Sequence, residues 1–161
     1  MNAADQARSP ELAQVIAAVI GRFRLHFPAA RAHLSPWRDD PITRAWNEEE
    51  SLDLAFHFPG WSPRTQCRSL LMQLRLIHPP GNQSGSPRPR LIGVLMRGLT
   101  TESERWRLAT VGDWQPSGSH LPQPEVVEQL QALCRELFEL FAGAADTDAG
   151  PEEGPAQHRA A

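Results

Sequence analysis

Near the start of the chain, apolar residues recur at helical spacing. Leu12, Val15, Ile16, Val19, Ile20, Phe23 and Phe27 fall on one stripe. Ser9-Pro10-Glu11 supplies the helix start, with Ser9 placed to accept from free amides and Pro10 pre-set at the first helical position. Pro28 ends or kinks this helix, and residues 29–34 are expected to add a further turn or two. Residues 37–50 read as an irregular connector, with a short helix possible after Asp40-Pro41.

At Ser51 the period changes to 2. Leu52, Leu54, Phe56 and Phe58 alternate with Ser51, Asp53, Ala55 and His57. Leu70, Met72, Leu74 and Leu76 alternate with Ser69, Leu71, Gln73 and Arg75. Ile92, Val94 and Met96 continue the apolar face in a third strand, and Trp106 and Leu108 in a fourth. Such alternation predicts antiparallel strands with one covered face. Turns are expected at Pro59-Gly60 with Ser62-Pro63, along residues 78–89, and around Thr100-Thr101.

A second helix follows Pro122 and Pro124. Glu125 and Glu128 suit its positive end, and Val126, Val127, Leu130, Leu133, Cys134, Leu137, Phe138 and Phe141 form its stripe. Gly143 is its predicted stop. The expected fold is therefore α+β: a four-stranded antiparallel meander with the N- and C-terminal amphipathic helices packed on one face. Residues 1–8 are read as a flexible start, 9–142 as one domain and 143–161 as a disordered acidic tail.

Charge sharpens this picture. The formal net charge of −3 resides in residues 143–161, where Asp146, Asp148, Glu152 and Glu153 face Arg159 alone. The remainder is balanced, and every basic residue in it is an arginine. With no lysine and no tyrosine, Schiff-base lysines, a phosphate-loop lysine and a tyrosine acid are excluded. No apolar run approaches membrane-spanning length and the first residues lack a signal-peptide pattern, so membrane insertion is not expected. Cys67 and Cys134 have no framework or ligand spacing, which fits free thiols in a reducing cytoplasm.

The second face of the predicted sheet carries Asp53, His57, Ser69, Leu71, Gln73, Arg75, Leu91, Gly93, Leu95, Arg97, Arg105, Arg107, Ala109 and Val111. That is a small apolar centre ringed by arginine, the chemistry of an interface core and rim. An ordinary solvated sheet face is the plainer alternative. Single-strand nucleic-acid binding is disfavoured, because the strand aromatics Phe56, Phe58 and Trp106 fall on the helix-covered face. The balanced folded charge also lacks the footprint of phosphate-backbone binding.

Catalytic and metal patterns are weak. No phosphate loop, GxSxG, HExxH or CxxC occurs, and no cofactor is implied. His26 and His33 stand seven apart without a third ligand. Asp39-Asp40 and Glu48 to Glu50 read as solvated charge. His57 and Cys67 flank one hairpin and admit a thiol–base pair only if their distance allows it.

The stretch FHFPGWSPRTQCR, with GDWQPSG and CRELFELF, resembles small uncharacterised proteins of cyanobacterial type over roughly Trp37 to Phe141. The resemblance implies an accessory or assembly role and carries no site residues. Four of the five tryptophans (Trp37, Trp46, Trp61 and Trp114) are expected in connectors, either capping the core or forming a recognition surface. The reading is a non-enzymatic adaptor or chaperone-like assembly factor that binds another protein or a second copy of itself. Trp61 and Leu95 would anchor it, with Arg64, Arg75, Arg97 and Arg107 pairing acidic or carbonyl groups. The alternatives are a single-stranded RNA binder and a small-molecule enzyme of unidentified chemistry.

Overall fold

The computed structural model describes residues 1–37, 51–77 and 89–146. Helix α1 (Ala3–Gln6) precedes α2 (Pro10–His26). Strands β1 (Arg31–His33), β2 (Ser51–Ser62), β3 (Cys67–Ile77), β4 (Arg90–Leu99), β5 (Glu104–Ala109) and β6 (Ser117–Gly118) follow, and α3 (Pro124–Asp146) closes the described chain. The six strands form one antiparallel sheet in chain order. The α+β class and the meander agree with the alternation pattern. The strand count does not, because β1 and β6 are too short to show a period.

Helix α2 begins as its sequence dictates. The Ser9 hydroxyl accepts from the Leu12 amide at 3.2 Å, and Pro10 opens the first turn. Pro28 stops it after His26 with Phe27 as the cap. The extra helical turn expected over 29–34 is instead strand β1, paired with Ala55 to His57 of β2. β2 offers that strand an open edge of backbone donors and acceptors, and pairing satisfies more of them than one extra helical turn could.

The core lies between the helices and one face of the sheet. Ile16, Val19 and Phe23 of α2 meet Leu52, Leu54 and Phe56 of β2, Leu70, Met72 and Leu74 of β3, and Val126, Leu130, Leu133 and Leu137 of α3. Phe23 stacks on Phe56 with ring centroids 3.6 Å apart, joining α2 to the sheet. Trp106 fills the space over Gly98, its cross-strand partner, and its indole Nε1 donates to the Thr65 carbonyl at 2.7 Å. A side chain at Gly98 would meet that ring directly.

Three irregularities displace residues from their predicted faces. β2 runs through Pro59-Gly60 to Ser62, with a register shift after His57, so Trp61 lies in a strand and not in a connector. The turn is Pro63–Gln66, where Gln66 adopts φ 54° and bonds the Pro63 carbonyl through its amide. A second shift between Arg75 and Leu76 turns Leu91 into the core and leaves Ile92 40% exposed, the reverse of the expectation for that pair. A third, between Gly98 and Leu99, brings Glu104 onto the face of Arg97 and Arg107.

Residues 1–8, set apart in sequence as a flexible start, contain α1 and lean on β2. Asn2 bridges Asp53 in parallel, and the Met1 amino group lies 2.9 Å from both the Ser51 carbonyl and Asp53 Oδ2. Asp53 also accepts from the Ser51 hydroxyl at 2.6 Å and from the Trp37 indole. The predicted connector helix after Asp40, Trp46, the 78–88 part of the long loop and residues 147–161 of the expected tail lie outside the described residues, whereas α3 continues past the predicted stop at Gly143 to Asp146.

Candidate functional site

The second face of the sheet is not open throughout. Ser51, Asp53, Ala55, Leu71 and Gln73 are all buried, so the middle of the β2–β3 half is not part of the exposed face expected from alternation. A carboxylate held by several donors at a buried position is a structural feature and not a recognition group. The β4–β5 half differs. Leu95 and Ala109 are cross-strand partners, both half-buried, and Val111 beyond them is 81% exposed. Arg75 is exposed beside this strip.

Arg97 and Arg107 stand directly opposite one another on β4 and β5. Like charges in that position repel unless a third group intervenes. Glu104 is that group. Its Oε1 accepts from Arg107 Nε at 2.6 Å and its Oε2 from Arg107 Nη2 at 3.2 Å, while Oε2 lies 3.7 Å from Arg97 Nη1. The bond to Glu104 pushes the Arg107 guanidinium further above its usual range. Two arginines are thereby held in place with one net positive charge between the three groups.

At the end of the sheet, Trp61 is 41% exposed and carries the Arg105 guanidinium over its ring at 5.1 Å. Arg105 Nη2 donates to Gln66 Oε1 at 3.2 Å, so the turn that follows Trp61 fixes the cation above it. Alternation places Arg105 only among several residues of this face. Its role depends on its being the bulged residue of β5, which leaves no trace in the alternation. Arg64 lies exposed on the same turn, and its carbonyl accepts from the Gln123 amide at 2.9 Å.

The six predicted contact residues therefore divide into two groups. Leu95, Arg97 and Arg107 share the β4–β5 half-face with Arg75 of β3 beside it, and Trp61 with Arg64 sits at the hairpin end. The remaining described tryptophans are structural. Trp37 bonds Asp53, and Trp114 stacks on Phe138 with centroids 6.0 Å apart.

A second feature escaped the sequence. His57 Nδ1 bonds the Ser69 hydroxyl at 2.8 Å, and His57 Nε2 lies 3.4 Å from His33 Nδ1. The Cα partner of His57 on β1 is Arg31. Burial lowers the His57 pKa first, with the neighbouring His33 and Arg31 adding to the effect. Beside this group a cleft of about 250 Å³ is lined by His57, Phe58, Pro59, Gly60, Arg68, Ser69, Thr100 and Thr101.

Other constellations separate. Cys67 is fully buried in the core with its thiol pushed up to about 11 by burial, so it is not the nucleophile of a pair with His57. Cys134, also buried, is pushed up to about 12. His26 pairs with Glu136 at 3.1 Å and His33 with His57, so the two histidines spaced by seven do not converge. Among the described residues, no helix is long and apolar enough to cross a membrane.

Neither curated proteins nor solved structures provide a match to the chain. A family model described as a domain of unknown function matches residues 4–143, nearly the whole of the α+β unit, and the chain belongs to that family.

Proposed function

We propose that the protein is a non-enzymatic, cytoplasmic adaptor or assembly factor, and that it binds a protein partner through the β4–β5 half-face and the adjoining Trp61 end. One observation carries the reading: a solvent-exposed tryptophan whose ring is held beneath a guanidinium that is itself pinned by Gln66. Tryptophan and arginine are the residues on which interface energy concentrates, and a side chain already fixed loses little entropy on binding. Further along the sheet Leu95, Ala109 and Val111 offer an apolar strip, and Arg75, Arg97 and Arg107 form a polar rim for carboxylates or carbonyls. Two buried free thiols fit a reducing compartment. The resemblance to small cyanobacterial proteins suggests such a cell as the setting.

The test compares wild-type protein with Trp61→Ala and Arg97→Glu as bait in nuclease-treated lysate. A single stoichiometric protein, captured by wild type and weakened roughly 30-fold by Trp61→Ala at unchanged melting temperature, supports the reading; that loss corresponds to the ~2 kcal/mol of an interface anchor. Equal capture by all three baits, or a cooperative melt at much lower temperature for both variants, sinks it.

A further inference from the structure

The cleft beside His57 lies apart from the β4–β5 strip and has its own chemistry. Arg68 lines it, and no described group bonds or ion-pairs with that guanidinium. Arg31, directly opposite His57 on β1, is equally uncompensated among the described residues. His57 and His33 share one ring-to-ring contact, which admits a donor on one side only while both rings are neutral. The Thr100 hydroxyl is engaged with Ser103, whereas the Thr101 hydroxyl is uncommitted. No acidic side chain lines the space, and Glu102, the nearest in sequence to Thr101, is exposed outside it. One wall, Phe58 and Pro59, is apolar.

We propose that this cleft binds the phosphate of a small organic phosphomonoester. Arg68 supplies the fork that matches two phosphate oxygens, and Ser69 and Thr101 donate hydroxyl hydrogen bonds. His57, now turned toward the dianion, takes a proton from solvent and becomes a second charged donor, with Arg31 and His33 behind it. A single carboxylate would leave this much positive charge unmatched, whereas a dianion with three acceptor oxygens uses it. The organic group rests on Phe58 and Pro59, in the volume the phosphate leaves free. The proposal stands on the cleft alone and is independent of the protein-binding reading.

The experiment follows the His57 ring resonances by NMR while inorganic phosphate, phenyl phosphate or sodium chloride at matched ionic strength is added to the full chain. Saturable shifts with both phosphates, a rise in the His57 titration midpoint and at least tenfold tighter binding of phenyl phosphate are expected. Arg68→Ser, an exposed position, should weaken both at least tenfold without moving the melting temperature. Shifts no larger than those from chloride, or unchanged binding in Arg68→Ser, overturn the site. Equal affinity for the two phosphates overturns the ester and leaves free phosphate as the ligand.

Discussion

Single residues in this protein are governed mainly by which side of the sheet they reach. Cys67 and Cys134 sit in the core, and burial holds both thiols protonated at any ordinary pH. Since the thiolate is the reactive form, neither should react with a disulfide reagent at pH 8 in the native protein, and both should react once it is unfolded. Rapid native labelling of either would contradict the packing. His57 behaves oppositely. Its folded pKa lies below the ordinary value near 6.5, so the unfolded chain takes up this proton more readily. Its linkage therefore costs no stability above about pH 6.5, and stability falls as acid lowers the pH through the ordinary histidine range. His57→Gln should flatten the melting temperature between pH 7.5 and 5; parallel curves for the two proteins would show that this proton is not linked to folding.

At the scale of elements, two contacts hold the layers in register. The Trp106 indole lies over Gly98 and is tied to the Thr65 carbonyl, so it has no easy retreat. Gly98→Ala should cost ~1–3 kcal/mol by overpacking and lower the melting temperature by several degrees, measured by calorimetry. Through its carboxylate Asp53 accepts from the Met1 amino group, the Trp37 indole and the Ser51 hydroxyl, joining the N-terminal segment, Trp37 and β2. Its replacement by alanine leaves buried donors unmatched and should cost ~2–4 kcal/mol in urea unfolding. A cost under ~1 kcal/mol would mean that water replaces the carboxylate there.

The whole molecule shows how far a sequence pattern reaches. The amphipathic stripes of α2 and α3 and the period-2 runs of β2 to β5 were legible because each repeats often enough to define a face. The long-range arrangement was not. β1 has three residues and β6 two, too few for a period, and both exist only because β2 and β5 offer edges to pair with. The bulges at Ile92 and Arg105 reverse parity locally, so Leu91 and Ile92 exchange faces and Glu104 joins two arginines. The His33–His57–Ser69 group joins three strands, and no local spacing could announce it. Of the contact residues chosen from sequence, Leu95, Arg97 and Arg107 meet on one face through simple alternation. Trp61 stood out by composition, but the arginine above it could be found only from the fold.

The two outer strands of the described sheet have a further consequence. Long, bare strand edges invite other chains to add themselves by backbone pairing, the route to aggregates and fibrils. Here one edge strand ends after three residues, and the other is a two-residue strand in which Gly118, at φ 148°, packs against the backbone of Arg105 and Trp106. A side chain at Gly118 would collide with that backbone and strip β6 away. Along β1 and β6 such blunt margins leave little template for edge-to-edge growth.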